Sequence, residues 1–321
     1  MTDNSVQSGK IKTKGMSSRT RSRMLFYGLM IALPLTQWLV FYIGLNIKTF
    51  IMAFQKWSYA DGALGYDISF AGLDNFKVAL GFFKDAAYMV KNSAILAFCK
   101  VLVGTTLALI FSFYIYKKFA GAGLFKTLLF MPQMVSGLIF GLLFRYVAND
   151  VFVALFGHGD PTFLGLLDRS ADVRFRSILV YDVFLSFGVN VLLFSGAMSG
   201  IDESLVESSK LDGANLMQEF IHITLPLIYP TIISFFIIGL SHIVTDQMHL
   251  YSMFGNNAKE IGTLGYYLYL LAKQGSEIVG ENSGYYSYAE LSAVSLLCTL
   301  VMVPTILTIK KLMTKLGPSV D

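Results

Sequence analysis

The stretch Glu207-Ser-Ser-Lys-Leu-Asp212-Gly213-Ala214 is a polar, helix-forming interruption between two strongly apolar segments. Residues 202–211 can form a short helix, and the Asp-Gly pair that follows is typical of a turn, because glycine removes the side-chain cost of a sharp change in direction. We expect Asp212 to cap the next segment by accepting from its first free backbone N–H groups. The stretch therefore predicts a helix–turn–helix elbow.

A second amphipathic run continues the elbow. Leu216, Phe220 and Ile223 fall on roughly one face at helical spacing. Pro226 suits the first turn of a new apolar helix, where its missing N–H costs little. We therefore expect the next long apolar helix to begin near Pro226.

The composition places this elbow in a membrane protein. Of the 321 residues, 55% are hydrophobic and 14% are charged, whereas a soluble domain carries about 25% charged residues. The two cysteines, Cys99 and Cys298, lie in apolar stretches and form no disulfide framework. The four histidines lack the spacing of metal ligands, so no metal site is predicted.

Apolar runs of about 20 residues, the length needed to cross a bilayer, predict an all-helical integral membrane protein. The first run is too long for the apolar core of a signal peptide, and no small-residue cleavage site follows it, so we expect it to be retained as a span. The elbow, residues 202–225, lies between the fourth and fifth spans. Six spans are predicted, at residues 24–46, 92–115, 127–147, 178–199, 224–245 and 288–309.

The distribution of Lys and Arg indicates the orientation of these spans. Basic residues exceed acidic ones in the segments assigned to the inside, and acidic residues exceed basic ones in the outer loops. Residues 1–23 form a basic tail that we expect to be disordered and cytoplasmic. Residues 24–315 form the transmembrane domain, and residues 316–321 a second cytoplasmic tail. Both termini and the elbow are therefore expected inside the cell.

The elbow resembles the signature loop of the permeases of ATP-binding-cassette (ABC) importers. That loop runs Glu-Ala-Ala, then Asp-Gly-Ala, Phe, Ile and Leu-Pro at fixed spacing. Ser208 and Ser209 replace the two alanines and are nearly as small. An ordinary cytoplasmic connector with a glycine turn is the alternative. The other matching positions are Glu207, Asp212, Gly213, Ala214, Phe220, Ile223, Leu225 and Pro226.

Two further segments resemble the carbohydrate branch of these permeases. The run Gly72-Leu73-Asp74-Asn75-Phe76, by itself an interfacial aromatic belt around a turn, is similar to the segment between their first two spans. Pro132 is similarly placed to a proline of their third span, and we expect it to kink the helix. Gly137 and Gly141 form a small-xxx-small face on which another helix can pack closely.

The resemblance implies a transport subunit rather than an enzyme. Its implied partners are a second permease in a heterodimer, two ATPase subunits, and an extracytoplasmic binding protein that delivers a mono- or oligosaccharide. No Gly-x-x-x-x-Gly-Lys-Ser/Thr loop is present, so ATP and magnesium are expected in the partner ATPase subunits and no cofactor on this chain. The implied location is the bacterial cytoplasmic membrane, as a multi-pass protein. No nucleic-acid partner is expected.

The resemblance also implies that the elbow is the docking surface for the ATPase. Glu207 offers a carboxylate to a basic partner, and the small residues after it permit close approach. The predicted coupling residues are Glu207, Ser208, Ser209, Asp212, Gly213, Ala214 and Phe220.

Polar residues in the apolar segments are the candidates for the substrate pathway. Asp182, Ser186 and Asn190 are spaced four apart on one face of the fourth span, and polar groups inside a membrane usually face a cavity or a partner. Asp182 lies near the outer end of that span, so the headgroup layer is its alternative location. Tyr267, in a predicted amphipathic helix, and Tyr288 could stack on sugar, with interfacial anchoring as the alternative.

Other functions stay open at this point. A permease for a non-sugar solute would carry the same elbow. A secondary transporter would need no docking elbow, and no repeated pair of interrupted spans is obvious. A membrane enzyme lacks support, because no nucleophile–base pair or metal constellation is present in the spans. Lys100 in the second span could snorkel to the interface or pair with an acid.

Overall fold

A computed structural model describes residues 18–59, 66–158, 160, 162–275 and 288–318, and the chain forms two units, residues 1–52 and 53–321. In the first unit a helix begins at Ser18, and its apolar part is α1 (Arg21–Met52), whose side chains are exposed. The last residues of the predicted disordered tail are therefore helical. The remainder of that tail and the end of the C-terminal tail lie outside the described residues.

The second unit opens with an antiparallel hairpin of β1 (Gln55–Tyr59) and β2 (Tyr66–Phe70). The prediction of an exclusively helical chain is wrong here, because the aromatic segment pairs as strands. Asn75, in the first turn of α2 (Asp74–Asp85), donates its side-chain amide to the carbonyls of Ala53 and Gln55 at 2.9 and 2.8 Å. These bonds attach the hairpin to α2.

The remaining described residues lie mostly in helices. By length and composition, five of the described helices could cross a membrane, or six if the bent pair α8–α9 is one span, in agreement with the predicted number. The helices are α3 (Ala87–Tyr116), α4 (Ala122–Met134), α5 (Gly137–Phe156), α6 (Ala171–Met198), α7 (Glu203–Leu211), α8 (Leu216–Leu227), α9 (Tyr229–Ser241), α10 (Leu250–Phe254), α11 (Leu264–Gly275) and α12 (Tyr288–Leu316).

The predicted third span, residues 127–147, is interrupted. Helix α4 continues past Pro132 to Met134, and the break comes at Val135, which has extended backbone with φ −90° and ψ 143°. The kink expected at Pro132 therefore lies three residues later, since the missing N–H of one proline does not end the helix. Helix α5 then begins at Gly137. Gly137 faces His249, and Gly141, one turn later, faces Met253. The two glycines permit the close packing predicted for them.

The apolar helix expected to begin near Pro226 also begins later than predicted. A π-helical turn, Phe220–Thr224, continues the elbow helix through Pro226, so α8 ends at Leu227. Helix α9 starts at Tyr229 with Pro230 in its first turn, and the two helices are bent by 70°. The proline in the first turn of this apolar helix is thus Pro230 and not Pro226.

Several apolar cores hold these helices together, and two of them join α3 to α6. At the elbow end, α3 and α6 pack through Ala108, Val191 and Phe194. At the other end, α11 inserts Tyr266 and Leu270 into a core with residues of α3 and α6. The predicted amphipathic helix at residues 263–272 therefore exists, and one face of it is buried.

Candidate functional site

Lys100 lies near the middle of α3, in a π-helical turn spanning Cys99–Gly104. Its ammonium is 2.6 Å from Asp182 Oδ2 and 2.5 Å from Asp246 Oδ2. Lys100 therefore pairs with acids rather than snorkelling to the interface. Single π-helical turns inside α-helices occur frequently at functional sites.

Asp182 comes from α6 and its side chain is only 2% exposed. Because α6 begins at Ala171, ahead of the predicted start of the span, Asp182 lies about 16 Å along the helix at a rise of 1.5 Å per residue. Asp182 therefore lies well inside this helix rather than at its first turns, and its placement in the headgroup layer stays a prediction. A carboxylate at this depth requires a cation, and Lys100 supplies one.

Asp246 belongs to this site, although it is not among the pathway residues predicted from the sequence. It follows α9, in a stretch assigned to an outer loop, and it lies 146 residues from Lys100. Its Oδ1 accepts from the Met248 N–H at 2.9 Å, and its carbonyl accepts from the Thr263 hydroxyl at 2.7 Å. An unpaired lysine in an apolar span is the signal that could have prompted a search for this acid.

The loop after Asp246 is held in an unusual conformation. Met248 and His249 have φ values of 54° and 55°, in the left-handed region that non-glycine residues seldom occupy. This backbone places His249 Nε2 3.6 Å from Asp182 Oδ1. The site therefore joins Lys100, Asp182, Asp246 and His249, which we call the charged cluster.

A cavity of about 340 Å³ adjoins the charged cluster. It lies at the break between α4 and α5, and irregular backbone at membrane depth is tolerated where it lines a cavity. Gln133, at this break, donates its amide to the Leu185 carbonyl of α6. The volume is within the usual range for ligand pockets, about 300–1,000 Å³. The lining residues are Lys100, Pro132, Gln133, Val135, Gly137, Phe140, Asp182, Leu185, Ser186, Val189 and His249.

The predicted pathway residues separate into two groups. Asp182 and Ser186 line the cavity, as their common helical face suggested. Asn190 is half-buried one turn further along α6 and is not among the lining residues. Tyr267 stacks on Phe82 at 5.5 Å in the core between α2 and α11, and Tyr288 begins α12. The structure does not bring the two tyrosines to this cavity.

A second cavity, of about 550 Å³, lies between the end of α9, α11 and α12. Its lining includes Cys298 and Met302 and contains no charged residue among those described. The cavity beside the charged cluster is therefore the better candidate for a polar solute.

The elbow forms as predicted, with one change in its capping. Asp202 caps α7 by accepting from the Ser204 N–H at 3.0 Å, and this hydrogen bond lowers the pKa of the Asp202 carboxyl. Gly213 makes the turn at φ +80°. Asp212 ends α7 and does not cap α8. That role belongs to Asn215, whose side chain accepts from the Gln218 N–H at 2.9 Å while the Gln218 side chain accepts from the Asn215 N–H at 2.8 Å.

The predicted coupling residues do not all face outward. Glu207, Ser208, Asp212 and Gly213 are exposed, and Ala214 is half-buried. Ser209 is buried and donates its hydroxyl to the Val206 carbonyl, so it is not available for contact with a partner. Phe220 packs on Phe113 of α3, with ring centroids 4.8 Å apart. Phe220 therefore packs the elbow against α3, and Ser209 is directed into the elbow rather than toward a partner.

Apolar side chains accompany the exposed polar ones on the elbow. Leu211 is 89% exposed, and Leu205, Leu216 and Met217 are also exposed. Several large exposed apolar side chains among polar residues are typical of a site of protein–protein contact.

Comparison with known proteins gives the family. Residues 101–321 match the family described as "Binding-protein-dependent transport system inner membrane component". The arabinooligosaccharides transport system permease protein AraP of Bacillus subtilis (strain 168) is 28% identical over 241 residues, 72% of this chain and 73% of that protein. The multiple sugar-binding transport system permease protein MsmF of Streptococcus mutans serotype c is 23% identical over 246 residues, 74% of this chain and 81% of that protein.

Two other matches extend the range of cargo and show the fold. The sn-glycerol-3-phosphate transport system permease protein UgpA of Salmonella choleraesuis is 30% identical over 188 residues, 54% of this chain and 58% of that protein. A solved bacterial ABC transporter involved in the import of the acidic polysaccharide alginate has 18% identity and a TM-score of 0.73 over 94% of this chain and 99% of that chain. With the elbow and the bent fifth span in place, the chain belongs to the family of binding-protein-dependent transport system inner membrane components.

Proposed function

We propose that this chain is one of two permease subunits that together form the transmembrane path of an ABC importer for uncharged carbohydrate. The observation that carries the proposal is the combination of a polar cavity deep in the helices with an exposed elbow on the same chain. The cavity can hold a solute, and the elbow can receive a push from an ATPase subunit. The relatives named for oligosaccharide and multiple-sugar transport support a carbohydrate cargo.

The charges around the cavity favour a cargo without charge. Lys100 is the only permanently charged cation among the described residues that line it, and its ammonium already contacts Asp182 and Asp246. Among the described lining residues, an anionic solute would meet the Asp182 carboxylate and no free lysine or arginine. Sugar hydroxyls, by contrast, can donate to carboxylate oxygens, and Ser186 and Gln133 add further polar groups. This distinguishes the proposed cargo from the acidic and phosphorylated solutes named for UgpA and the alginate importer.

The proposed partners are a second permease, two ATPase subunits and an extracytoplasmic binding protein in the bacterial cytoplasmic membrane. ATP and magnesium would be bound by the ATPase subunits. Their closure would displace the elbow, rock the helices and open the cavity outward to receive sugar. Moving such a two-state equilibrium from 1:99 to 99:1 takes about 5.5 kcal/mol, so several elbow contacts must act together.

The test is uptake by the complete transporter. The tagged chain is purified from its native membrane with whatever companions it retains, and it is reconstituted in vesicles with its binding protein. Labelled neutral arabino- and malto-oligosaccharides are compared with oligouronates. Ser186→Phe should fill the cavity and abolish most uptake, whereas Ser199→Phe, an exposed change at the end of α6, should leave uptake intact.

Each contrary outcome overturns a separate part of the proposal. Purification of the chain without an ATPase subunit, from membranes that contain one, would contradict the importer assignment. Uptake of oligouronates alone would contradict the uncharged cargo. Normal uptake by the Ser186→Phe variant would show that sugar does not pass through this cavity.

A further inference from the structure

The inner end of α3 carries a second buried ion pair, away from the cavity. Lys117 directly follows the end of α3, and its ammonium contacts the carboxylate of Glu219 in α8. The two side chains are only 12% and 2% exposed, so both charges have lost most of their water. Neither residue belongs to the cavity or to the exposed surface of the elbow.

Aromatic rings surround this ion pair. The Lys117 ammonium lies 5.6 Å from the ring centroids of both Phe113 and Tyr116. Phe113 in turn contacts Phe220, which directly follows Glu219 and packs on the core shared by α3 and α6. The elbow and α3 are thus joined by a charged contact and a ring contact at adjacent positions.

Helix α8 has apolar residues on both of its sides, because Phe220 packs inward on Phe113 while other apolar residues are exposed. Leu216, Met217 and Ile221 are exposed, whereas Glu219 is buried. The exposed apolar side is available to a partner, and the inward carboxylate binds α3. Helix α8 can therefore receive a force on one side and pass it on from the other.

A buried ion pair is a poor source of stability but a strong constraint on geometry. The desolvation of two charges can exceed their attraction, while either charge left alone is strongly destabilising. The pair therefore resists separation and fixes how α8 sits on α3. Helix α3 continues from Lys117 back to Lys100 over about 25 Å at 1.5 Å per residue. A displacement of α3 at Lys117 can therefore also displace Lys100, because the two lysines are connected by the same helix.

We propose that Lys117 and Glu219 are positioning residues that make α8 and the inner end of α3 move as one body when ATPase subunits act on the elbow. The proposal rests on the proposed function, in that it assumes an ATPase at the elbow. It goes further by naming the contact through which the movement enters the membrane helices.

The first test removes and then exchanges the charges in the complete reconstituted transporter. Lys117→Gln and Glu219→Gln should retain the ATPase subunits but move at least about fivefold less sugar per ATP hydrolysed, the lower end of usual coupling effects. Lys118→Gln, next to the pair, and Glu260→Gln, away from the elbow and the cavity, remove the same charges at exposed positions and should behave as wild type. The double variant K117E/E219K should regain most of the lost transport.

The second test asks whether the two elements move relative to each other. Cysteines at positions 117 and 219, in a chain carrying Cys99→Ser and Cys298→Ala, are joined by a short bismaleimide. We expect transport to survive this cross-link. If α8 and the inner end of α3 already move together, a covalent link between them does not restrict the movement. Cross-linking that stops transport would overturn the proposal.

The two proposals fail in different ways. The proposal that α8 and α3 move as one body would also be overturned if K117E/E219K, with normal assembly, transported no better than either single variant. Absence of ATPase subunits from the wild-type sample would instead overturn the proposed function. If the ATPase subunits are recovered with wild type but lost with Glu219→Gln, the ion pair is needed for binding the ATPase. This result too would contradict the proposal that the pair only connects α8 to α3.

Discussion

The two lysines of α3 show how one helix uses the same charge in two different ways. Lys100 contacts two carboxylates, from α6 and from the loop after α9, and it borders a cavity. Lys117 contacts a single carboxylate and is covered by aromatic rings. The cluster at Lys100 has two acids for one lysine and a cavity beside it, so its groups can exchange their present partners for a solute. The pair at Lys117 is matched and enclosed, which suits a fixed connection.

Replacing each lysine by methionine should give the largest effects and separate the two sites. Lys100→Met leaves both Asp182 and Asp246 without their cation, and breaking a buried ion pair costs about 3–5 kcal/mol. Lys117→Met leaves one carboxylate unpaired, near the end of the helix, and should fall at the low end of that range. The measurement is thermal unfolding of the purified protein in detergent, with Lys126→Met as the exposed control.

The comparison would be contradicted by equal losses of stability in the two variants. It would equally be contradicted if Lys100→Met unfolded at the wild-type temperature, because the two acids would then not depend on the lysine.

Substitution of a glycine in α11 could make the Lys100 site resemble the Lys117 site, with one carboxylate for one lysine. Gly265 lies against the turn that carries Asp246, and a Cβ atom added there would stand 2.5 Å from the Thr245 carbonyl carbon and 2.6 Å from the Asp246 carbonyl oxygen. Gly265→Ala must therefore shift this backbone, and overpacking of this kind costs about 1–3 kcal/mol. The shift should draw Asp246 away from Lys100 and leave a simple pair with Asp182.

The readouts for Gly265→Ala are thermal unfolding and the KM for sugar uptake in vesicles. We expect lower stability together with a changed KM, because the charged cluster borders the proposed sugar cavity. Gly123→Ala is the control, since nothing lies within 4 Å of the added carbon there. A loss of stability with an unchanged KM would show that Asp246 does not influence the cavity.

The elbow was the most predictable part of this fold. Its helix, its glycine turn and its continuation into an amphipathic run depend on residues close together in the sequence, and the structure has all three. The cap was assigned to Asp212 rather than Asn215 because both residue types can accept from free N–H groups. Only the position of the next helix decides between them.

The charged cluster could be predicted only in part. Asp182 and Ser186 were found because a spacing of four places them on one helical face. The contact of Asp246 could not be predicted because its partner, Lys100, lies 146 residues away. Hydrophobic periodicity indicates local helices and does not indicate contacts between distant residues. The break after α4 was placed at Pro132 for a related reason. A proline weakens a helix locally, but packing of the following residues determines where the chain leaves it.

The smallest effect on stability should come from the cap of α8. The cap stabilises the first turn of the helix that carries Glu219, but it does not contact the Lys117–Glu219 pair. Asn215→Ala removes one half of the reciprocal hydrogen bonding with Gln218, a change that costs about 1 kcal/mol at a helix N-terminus. We expect faster hydrogen exchange of the backbone amides at residues 216–220 and little change in overall unfolding. Asn215→Asp should exchange as wild type does, because it keeps an acceptor for the free N–H groups. The effect stays small because Phe220 still packs on Phe113 and the ion pair still holds α8 to α3. If the alanine variant instead unfolded as readily as Lys117→Met, the cap rather than the ion pair would be what fixes α8 on α3.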